Sequence, residues 1–433
     1  MARRKVLYVS HNHPRVRPGG AEAYALELYQ GMRRSEEFEP ILLARIGLPM
    51  SSTLEPHEGT PFRPVDGDDH QYFLYTDNAD FDWFYGTLRD KTLYTRHFRE
   101  FLLAYRPDIV HFQHTVSLGY DLVRETRNTL PDAAIVYTLQ EMLPICHRHG
   151  QMLRARNDEL CHESSPRRCH ECFPEISPQA FFRRKRFIQS HLFLVDLFLA
   201  PSHFLLERYV DWGIPRGKIR FEDYGRHAVH RRAESDETRP RNRIGFFGQF
   251  SRHKGLHTLL EAMRILALDV PDVRLRLHGA NLSLQPKAFR AEFNRLLEAT
   301  QSNVTLVGRY EHAELAQLMA EIDWAVVPSI WWENSPLVIQ EAFQYGRPVI
   351  CSDIGGMAEK VTHGVNGLHF QVGDPASLAA TIREAVSSPG LWEQLSGAIP
   401  DIYRMEDHVA AVSAKYRALL EGVPPSEGNA RAG

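Results

Sequence analysis

The chain has 433 residues, of which 43% are hydrophobic and 24% are charged, a globular composition with enough length for about two or three domains. Its formal net charge of -3 lacks the basic excess of a nucleic-acid-binding protein, so we predict no nucleic-acid partner. No apolar run reaches the length of a membrane span or a signal h-region, which predicts a soluble, cytoplasmic chain.

Short apolar and β-branched runs alternate with longer stretches of helical period, which predicts an α/β fold of parallel strands and crossover helices. The first predicted series of strands is KVLYVS (5–10), PILLAR (40–45), DIVHFQ (108–113), AIVYTL (134–139) and LFLVDLFLA (192–200). The second series is RIGFFGQ (243–249), VRLRLHG (273–279), VTLVG (304–308), DWAVVPS (323–329) and PVICSD (348–353). We therefore expect two doubly wound halves, with ligand sites at the carboxyl ends of their strands.

The charged segment 231–243 separates the two series and is predicted to be a linker. We expect an N-terminal domain over residues 1–230, with a cysteine-rich insertion near 144–175, and a C-terminal domain over residues 243–400. A helix at 401–421 should pack back on the N-terminal domain, and the tail 422–433 should be disordered. Residues 46–90 are irregular and aromatic, which predicts a long excursion of a kind that often carries function.

The first strand ends in HNHPRVRPGG, where Gly19 and Gly20 precede a predicted helix. A glycine pair lets the backbone approach a ligand and leaves N–H groups at the helix start for a phosphate. A plain loop closing on a helix is the alternative. Arg252 and Lys254 occupy the matching loop of the second half, where a cation could pair with a diphosphate. A solvated basic loop is the alternative there.

The stretch WWENSPLVIQE places Glu333 and Glu341 on either side of an uncharged run. Ser335 is predicted as the helix N-cap and Pro336 as the first helical residue. Glu333 then lies in the preceding loop, and Glu341 lies roughly 8–9 Å along the helix. The unpaired N–H groups of Leu337 and Val338 lie between the two carboxylates and could hold an anion. A nucleotide sugar has this layout, although two solvated glutamates would give the same pattern.

The segment PSIWWENSPLVIQEAFQYGRPVICSDIGGMAEKVTHGVNGLHFQVGDPASLAATI resembles the C-terminal signature of family 4 glycosyltransferases, which are retaining nucleotide-sugar enzymes. The resemblance extends over nearly the whole chain. It implies a GT-B fold, in which two Rossmann-like, doubly wound domains face a central cleft, with the donor in the C-terminal domain.

The resemblance implies that Glu333 contacts the donor sugar, Glu341 the ribose and Lys254 the diphosphate, with the Gly19–Gly20 loop closing over the phosphates. Residues 308–310 would pass the nucleobase. No catalytic metal is expected, because a cation such as Lys254 takes that part. The predicted donor-binding set is Gly19, Gly20, Arg252, Lys254, Arg309, Glu333, Asn334, Ser335, Leu337, Val338 and Glu341, for a UDP- or GDP-sugar.

Two positions depart from the family pattern. Gln140 stands in TLQE where a histidine is common, and Gln249 stands where an arginine is common. Gln140 cannot be a general base, but its amide can bond a sugar hydroxyl. We place it with Glu333 and Lys254 as the predicted catalytic set. No side-chain base is required if the leaving phosphate accepts the proton of the acceptor hydroxyl.

Four histidines near strand ends are predicted to face the acceptor, which would be a carbohydrate or lipid-linked molecule. They are His11, His13, His111 and His114. A structural polar role is the equal alternative. The aromatic and basic run FFRRKRF at 181–187 raises the alternative of a peripheral contact with anionic lipid at the inner membrane face, against a solvated helix face.

The chain has five cysteines, four of them in one segment with the pattern Cys146-x14-Cys161-x7-Cys169-x2-Cys172. Four thiolates suit a structural tetrahedral zinc site, and the last spacing is usual for one. Nearby histidines could replace a ligand, and reduced unliganded thiols are the alternative. A subset of the family shows similar cysteines in this region.

The leading hypothesis is a retaining glycosyltransferase that moves a sugar from a nucleotide-diphosphate sugar to an acceptor hydroxyl in polysaccharide, glycolipid or glycoconjugate biosynthesis. A GT-B-fold sugar-nucleotide epimerase and a non-catalytic sugar-nucleotide-binding protein are the alternatives. A dinucleotide-dependent dehydrogenase is disfavoured, because no strand-linked GxGxxG precedes a ribose-binding acid.

Overall fold

The computed structural model describes residues 3–17, 19–47, 61–229 and 239–425. The chain divides into two compact units. The N-terminal unit comprises Met1–Gly225 and Tyr403–Arg431, and the C-terminal unit comprises Arg226–Ile402 with Ala432–Gly433. Most of the predicted linker and the end of the predicted tail lie outside the described residues.

The N-terminal unit is built on an eight-stranded sheet in its described part, with the strand order β10-β9-β8-β7-β1-β2-β4-β3. Its pairs are parallel except for β3 with β4. The strands of this unit, including the separate hairpin β5-β6, are β1 (Arg4–Ser10), β2 (Phe38–Gly47), β3 (Phe62–Val65), β4 (Asp68–Thr76), β5 (Phe81–Asp82), β6 (Thr87–Leu88), β7 (Ile109–Phe112), β8 (Ala134–Thr138), β9 (Leu197–Ala200) and β10 (Ile219–Phe221).

Helices connect these strands, and one of them returns from the far end of the chain. The α-helices of the unit are α1 (Gly20–Arg33), α2 (Arg99–Tyr105), α3 (Asp121–Thr129), α4 (Pro166–Cys172), α5 (Pro178–Leu192), α6 (His203–Trp212) and α14 (Met405–Leu420), and a π-helical turn, Leu93–Phe98, leads into α2. Short 3-10 turns lie at Asn78–Asp80 and Arg216–Lys218.

The C-terminal unit has a six-stranded parallel sheet in its described part, in the order β13-β12-β11-β14-β15-β16. Its strands are β11 (Arg243–Gln249), β12 (Arg274–Ala280), β13 (Val304–Gly308), β14 (Trp324–Val327), β15 (Val349–Ser352) and β16 (Gly367–Phe370). Its helices are α7 (Leu256–Asp269), α8 (Lys287–Ala299), α9 (Leu315–Ala320), α10 (Leu337–Gln344), α11 (Gly355–Lys360), α12 (Pro375–Ser387) and α13 (Leu391–Gly397), with 3-10 turns at Leu282–Leu284 and His312–Glu314. Side chains such as Leu277, Phe293 and Trp324 form one buried core between the sheet and these helices.

The structure corrects the sequence prediction in two places. The predicted strand 192–200 begins only at Leu197, because Leu192 ends α5 and Asp196 turns back to accept hydrogen bonds from Arg127 and Ile135. The predicted irregular excursion at 46–90 contains β3, β4 and the hairpin β5-β6, so its described part is largely ordered sheet. Residues 48–60 of the excursion lie outside the described residues.

No helix in the described ranges is long and apolar enough to cross a membrane.

A buried ion pair attaches α14 to the N-terminal sheet. Glu222, just after β10, accepts a hydrogen bond from Lys415 Nζ at 2.6 Å and lies 2.9 Å from His408 Nδ1. Tyr403 donates to the same carboxylate at 2.7 Å. Glu222, His408 and Lys415 are each at most 4% exposed, so their charges depend on one another rather than on water.

Glu222→Gln should therefore lower the free energy of unfolding by about 3–5 kcal/mol, because Lys415 would stay buried without a counter-charge. Chemical denaturation of the full chain measures this loss. Glu36→Gln, at an exposed position, serves as the control and should change stability by less than about 0.5 kcal/mol.

Acid should remove the same stabilisation. Burial by itself raises the pKa of Glu222, but His408 and Lys415 lower it below its ordinary value. The contribution is then complete above the ordinary pKa and is lost as the pH falls through the lowered one. The stability difference between the wild type and Glu222→Gln should shrink in that acidic range. A difference that persists there would contradict this account.

Candidate active site

The C-terminal sheet reverses its direction of growth between β11 and β14. The chain runs outward from β11 through β12 to β13 and then returns to add β14 on the other side of β11. In open α/β sheets, ligands bind beside the carboxyl ends of the strands at such a switch point. The loop at 250–255 follows β11, and the loop at 328–336 follows β14, so both lie at this position.

An ion pair joins these two loops. Lys254 Nζ lies 2.6 Å from Glu333 Oε1, which also accepts hydrogen bonds from Ser329 Oγ at 2.7 Å and Trp331 Nε1 at 2.8 Å. The Glu333 side chain is 8% exposed, whereas that of Lys254 is 28% exposed. The structure thus brings together the two residues that the sequence placed in separate motifs, and it adds Ser329 and Trp331.

These contacts keep Glu333 ionised. Burial by itself would raise the pKa of this carboxyl, but the charge of Lys254 and the three hydrogen bonds lower it below its ordinary value. A buried carboxylate that stays charged is a strong acceptor for hydroxyl groups.

Two glycines allow the loops to approach each other. Gly255 has φ +69°, and a Cβ there would lie 1.7 Å from the carbonyl oxygen of Pro328. The N–H of Gly356 donates to the carbonyl oxygen of Glu333 at 2.8 Å, and a Cβ on Gly356 would lie 1.7 Å from the carbonyl oxygen of Asn334. The Gly355–Gly356 pair therefore supports the Glu333 loop.

Helix α10 begins one residue later than the sequence predicts. Pro336 is its N-cap with an extended ψ of 117°, and Ser335 precedes the cap, so the predicted N-cap was wrong by one position. The N–H of Ser335 is held by Asn334 Oδ1 at 2.6 Å. Glu333 still lies before the helix, and Leu337 and Val338 still form its first turn, whose N–H groups have no acceptor within the helix.

Glu341 lies near the segment predicted to pass the nucleobase. Its Oε1 accepts from Arg226 Nη2 at 3.1 Å, and its charge, after burial, raises the pKa of Tyr310. The Tyr310 ring packs edge-on against Phe247, 5.6 Å between centroids. Sequence reasoning missed Arg226, which stands alone beside the linker without a motif.

The two other predicted cations form ion pairs with other glutamates. Arg252 Nη1 pairs with Glu292 at 3.0 Å, and Arg309 Nη2 pairs with Glu311 at 3.3 Å. The Arg309 side chain is 69% exposed. Neither joins the Lys254–Glu333 pair in the contacts of the structure.

The N-terminal sheet has its own switch point, between β1 and β7. His11, just after β1, lies 3.0 Å from Glu22 Oε1, and its ring is 4.3 Å from the ring of His114, which follows β7. His114 in turn lies 3.9 Å from Glu141. Two imidazoles thus lie side by side between two carboxylates at this edge of the sheet.

Burial shifts the pKa values of His114 and Glu141 at this edge in opposite directions. It lowers the pKa of His114 well below its ordinary value and raises the pKa of Glu141 to about 8, although 28% of the Glu141 side chain remains exposed. Glu22 behaves differently. Burial by itself would raise its pKa, but the hydrogen bond and charge of His11, a backbone hydrogen bond and the charge of Arg17 together lower it below its ordinary value.

The other predicted acceptor-side residues have partners within the fold. His111 is fully buried between Tyr416 and Thr138, at 2.6 and 2.7 Å, and burial lowers its pKa to about 3. His13 lies 3.0 Å from Gln71 Oε1. Gln140, which belongs to the predicted catalytic set, also has a partner, because its Oε1 accepts from Tyr224 at 2.5 Å. These contacts give His111, in particular, a structural role.

The glycine pair after β1 starts α1, with Gly19 as the N-cap and Gly20 as the first helical residue. A Cβ on Gly19 would lie 2.4 Å from Glu22 Oε2, so the missing side chain leaves room for Glu22.

Known families match most of the chain. The family model described as Glycosyltransferase Family 4 matches residues 18–221, and the model described as Glycosyl transferases group 1 matches residues 230–400. The chain belongs to the family 4 glycosyltransferases.

Individual relatives match only part of the chain or share a low sequence identity with it. The glycogen synthase of Mycobacterium tuberculosis is 33% identical over 144 residues, which are 33% of this chain and 34% of that protein. Among solved structures, HepE of Anabaena in complex with UDP and glucose is 16% identical with a TM-score of 0.64, covering 95% of this chain and 98% of that one. Sucrose-phosphate synthase of Thermosynechococcus elongatus is 18% identical with a TM-score of 0.71, covering 97% and 100%. The structural likenesses show the fold, which is GT-B.

Helix α5 of this glycosyltransferase contains the aromatic and basic run. Arg184 is buried and donates to the carbonyl oxygens of Phe84, Leu143 and Pro144 at 2.6–2.7 Å, so it ties the helix to two loops. Phe182 is 52% exposed. Contact of this face with a membrane stays a prediction.

The four clustered cysteines line one small cavity of about 20 Å³ in the N-terminal unit. Burial, followed by the neighbouring Cys146 and Cys161 thiols, raises the pKa of Cys169 to about 12. In the described residues, no group of three or more His, Cys, Asp or Glu is already arranged to hold a metal ion. The four thiols match a structural zinc site in number and chemistry. Their sulfur atoms would have to move closer together to coordinate the ion.

We expect the purified chain to carry about one zinc ion, measured by elemental analysis, and a chelator to lower its melting temperature. Cys169→Ser with Cys172→Ser should lose the zinc. Cys351→Ser is the matched control, because Cys351 is buried alone in β15 of the other unit. Zinc-free protein with four reactive thiols and an unchanged melting temperature would contradict the prediction.

Proposed function

We propose that this chain is a retaining glycosyltransferase that moves a sugar from a nucleotide-diphosphate sugar to a hydroxyl of a carbohydrate or lipid-linked acceptor, in the synthesis of a polysaccharide, glycolipid or glycoconjugate. One observation carries the proposal. The Lys254–Glu333 ion pair lies where the C-terminal sheet changes direction, beside the start of α10. Family membership agrees with it.

The donor would bind along these elements. The charged Glu333 accepts hydrogen bonds from sugar hydroxyls, and Lys254, which has three donor hydrogens, can hold the carboxylate and a phosphate oxygen together. The first-turn N–H groups of Leu337 and Val338 add a partial positive charge for the diphosphate.

Glu341 and Tyr310 would hold the nucleoside end. Glu341, the fifth of the eight residues of α10, would accept the ribose hydroxyls, with Tyr310 near it for the base. A uridine nucleotide is our choice of donor, because HepE, a structural neighbour, was solved with UDP. Arg252 and Arg309 would act at the rim of this site.

The N-terminal unit would take the acceptor. His11 and His114 at its switch point, with Gln140 after β8, offer hydrogen bonds to acceptor hydroxyls. The Gly19–Gly20 loop belongs to the same strand end.

In the transfer step the bond between the anomeric carbon and the phosphate oxygen breaks, and the nucleoside diphosphate leaves with the bonding electron pair. The acceptor oxygen forms the new glycosidic bond on the same face and gives its proton to the leaving phosphate oxygen. Lys254 stabilises the negative charge that develops on that oxygen, so it takes the part that a metal ion has elsewhere.

Lys254→Ala and Glu333→Gln should each lower transfer about 100- to 1000-fold, because each removes a charged contact to the donor. Glu333→Gln keeps the shape of the side chain and the contacts of Ser329 and Trp331. Release of nucleoside diphosphate, together with transferred sugar, measures the rate. The control is Lys287→Ala, an exposed lysine at the start of α8.

The same assays separate the alternatives. Consumption of the donor without any acceptor and with a new sugar epimer as product would favour the epimerase. Calorimetric donor binding without turnover over a broad acceptor panel would favour a binding protein. Turnover near the wild-type rate in both variants would contradict the proposed site.

A further inference from the structure

A buried guanidinium lies near the carboxyl end of the N-terminal sheet. Arg45, in β2, is 5% exposed. Its Nε donates to Thr76 Oγ1 at 2.7 Å, and its Nη2 donates to Asn78 Oδ1 at 2.6 Å and to the carbonyl oxygen of Thr76 at 3.4 Å. All three acceptors are neutral.

No carboxylate in the described ranges forms an ion pair with Arg45. Asp77 is near enough to favour its charge, but the Asp77 carboxylate accepts from the N–H of Ala79. Arg17, in the loop after β1, adds a second positive charge. Burial, followed by Arg17, lowers the pKa of Arg45 to about 10, so it remains a cation at neutral pH.

A buried cation is costly unless an anion compensates it. Two other buried charges of this chain have such a partner, because Glu222 has Lys415, and Asp323 has Arg239 and Arg243.

Arg184 is also buried among neutral acceptors, but its Nε, Nη1 and Nη2 each donate to a carbonyl oxygen. Arg45 differs from both cases, because its three contacts involve only Nε and Nη2 and orient the guanidinium without neutralising it.

The position of Arg45 connects it with the acceptor side. Ala44 pairs with Ser10, the last residue of β1, so Arg45 lies next to the point where the chain leaves β1 at His11. The ring of His11 contacts that of His114. Thr76 Oγ1, the acceptor of Arg45 Nε, also lies 3.4 Å from the carbonyl oxygen of Ser117 in the loop after β7. Arg45 thus lies one strand away from the switch point.

We infer that Arg45 binds an oxyanion carried by the acceptor, so that the substrate class is an acceptor with a phosphate monoester or carboxylate group. This inference rests on the proposed function and deepens it, because it assigns a charge to the acceptor. The guanidinium offers planar N–H donors that match either group. The donor diphosphate is already assigned to Lys254, the first turn of α10 and the Gly19–Gly20 loop, so Arg45 is assigned to the acceptor instead.

A first experiment uses inorganic phosphate as the probe on the full chain. Calorimetry at constant ionic strength, with chloride in place of phosphate as the reference, should detect binding to the wild type. Arg45→Gln should weaken this binding about 10- to 100-fold, because one charge-assisted contact is lost. Arg45→Lys keeps the charge and should retain most of the binding.

Arg127→Gln is the matched control. Arg127 belongs to the same unit, but its guanidinium already has a carboxylate partner, Asp196 at 2.6 Å. Its loss should leave phosphate binding unchanged. If the wild type binds phosphate no more strongly than chloride, the inference is overturned. The charge of Arg45 would then be compensated by the fold itself.

A second experiment compares acceptors. A neutral sugar, its phosphate monoester and the corresponding uronic acid are offered with one donor, and kcat/KM is measured for each. The wild type should prefer one charged form about 10- to 100-fold, and Arg45→Gln should abolish the preference while keeping the rate with the neutral sugar. The charged acceptor with the higher kcat/KM then shows whether the anionic group is a phosphate monoester or a carboxylate.

The outcomes separate this inference from the proposed function. Equal use of charged and neutral acceptors, with transfer intact, would overturn the anion site alone. Arg45-dependent phosphate binding in a chain without any transfer would keep the anion site and contradict the glycosyltransferase assignment. If Arg45→Gln does not fold, the acceptor preferences of the wild type and of Arg45→Lys test the inference instead. A preference for a charged acceptor in both proteins would support it, and equal use of charged and neutral acceptors would contradict it.

Discussion

The ion pair between Lys254 and Glu333 is the interaction on which the C-terminal site depends. It connects the loops that follow two adjacent strands, and it keeps the buried carboxylate of Glu333 ionised. Desolvation of that carboxylate would be unfavourable without the lysine. The same pair therefore stabilises both loop conformations and keeps available the charges that a polar, anionic ligand needs. Packing around it permits a close approach that only glycine allows at position 255.

The sequence predicts much of this arrangement because its signals are local. All ten expected strands have a counterpart, since apolar runs between polar turns are a property of neighbouring residues. The position of the Glu333 loop before α10 was also predicted from a local signal, Pro336, with an error of one residue at the helix N-cap. The pairing of Lys254 with Glu333 required the strand order, in which β14 lies beside β11, and no local pattern contains it.

Long-range contacts explain what the sequence could not show. His111 and His114 have the same appearance in DIVHFQH, yet Tyr416 from the last helix encloses the first and not the second. Within the 46–90 excursion, β4 forms because it pairs with β2, and such a partner lies outside a window of ten residues. The isolated Arg226 reaches Glu341 across more than a hundred residues. Sequence reading therefore misses side-chain partners, and it misses strands whose pairing partner is distant in the chain.

The hydrogen bond from Gly356 to the backbone of Glu333 has a practical meaning for protein engineering. The loop after β14 takes its shape partly from α11, which follows a different strand. The conformation of the glutamate loop therefore cannot be transplanted by exchanging that loop alone between relatives. The smallest portable module comprises the segments 250–255, 328–336 and 353–357, and a chimera that separates them would place the same residues on a different backbone conformation.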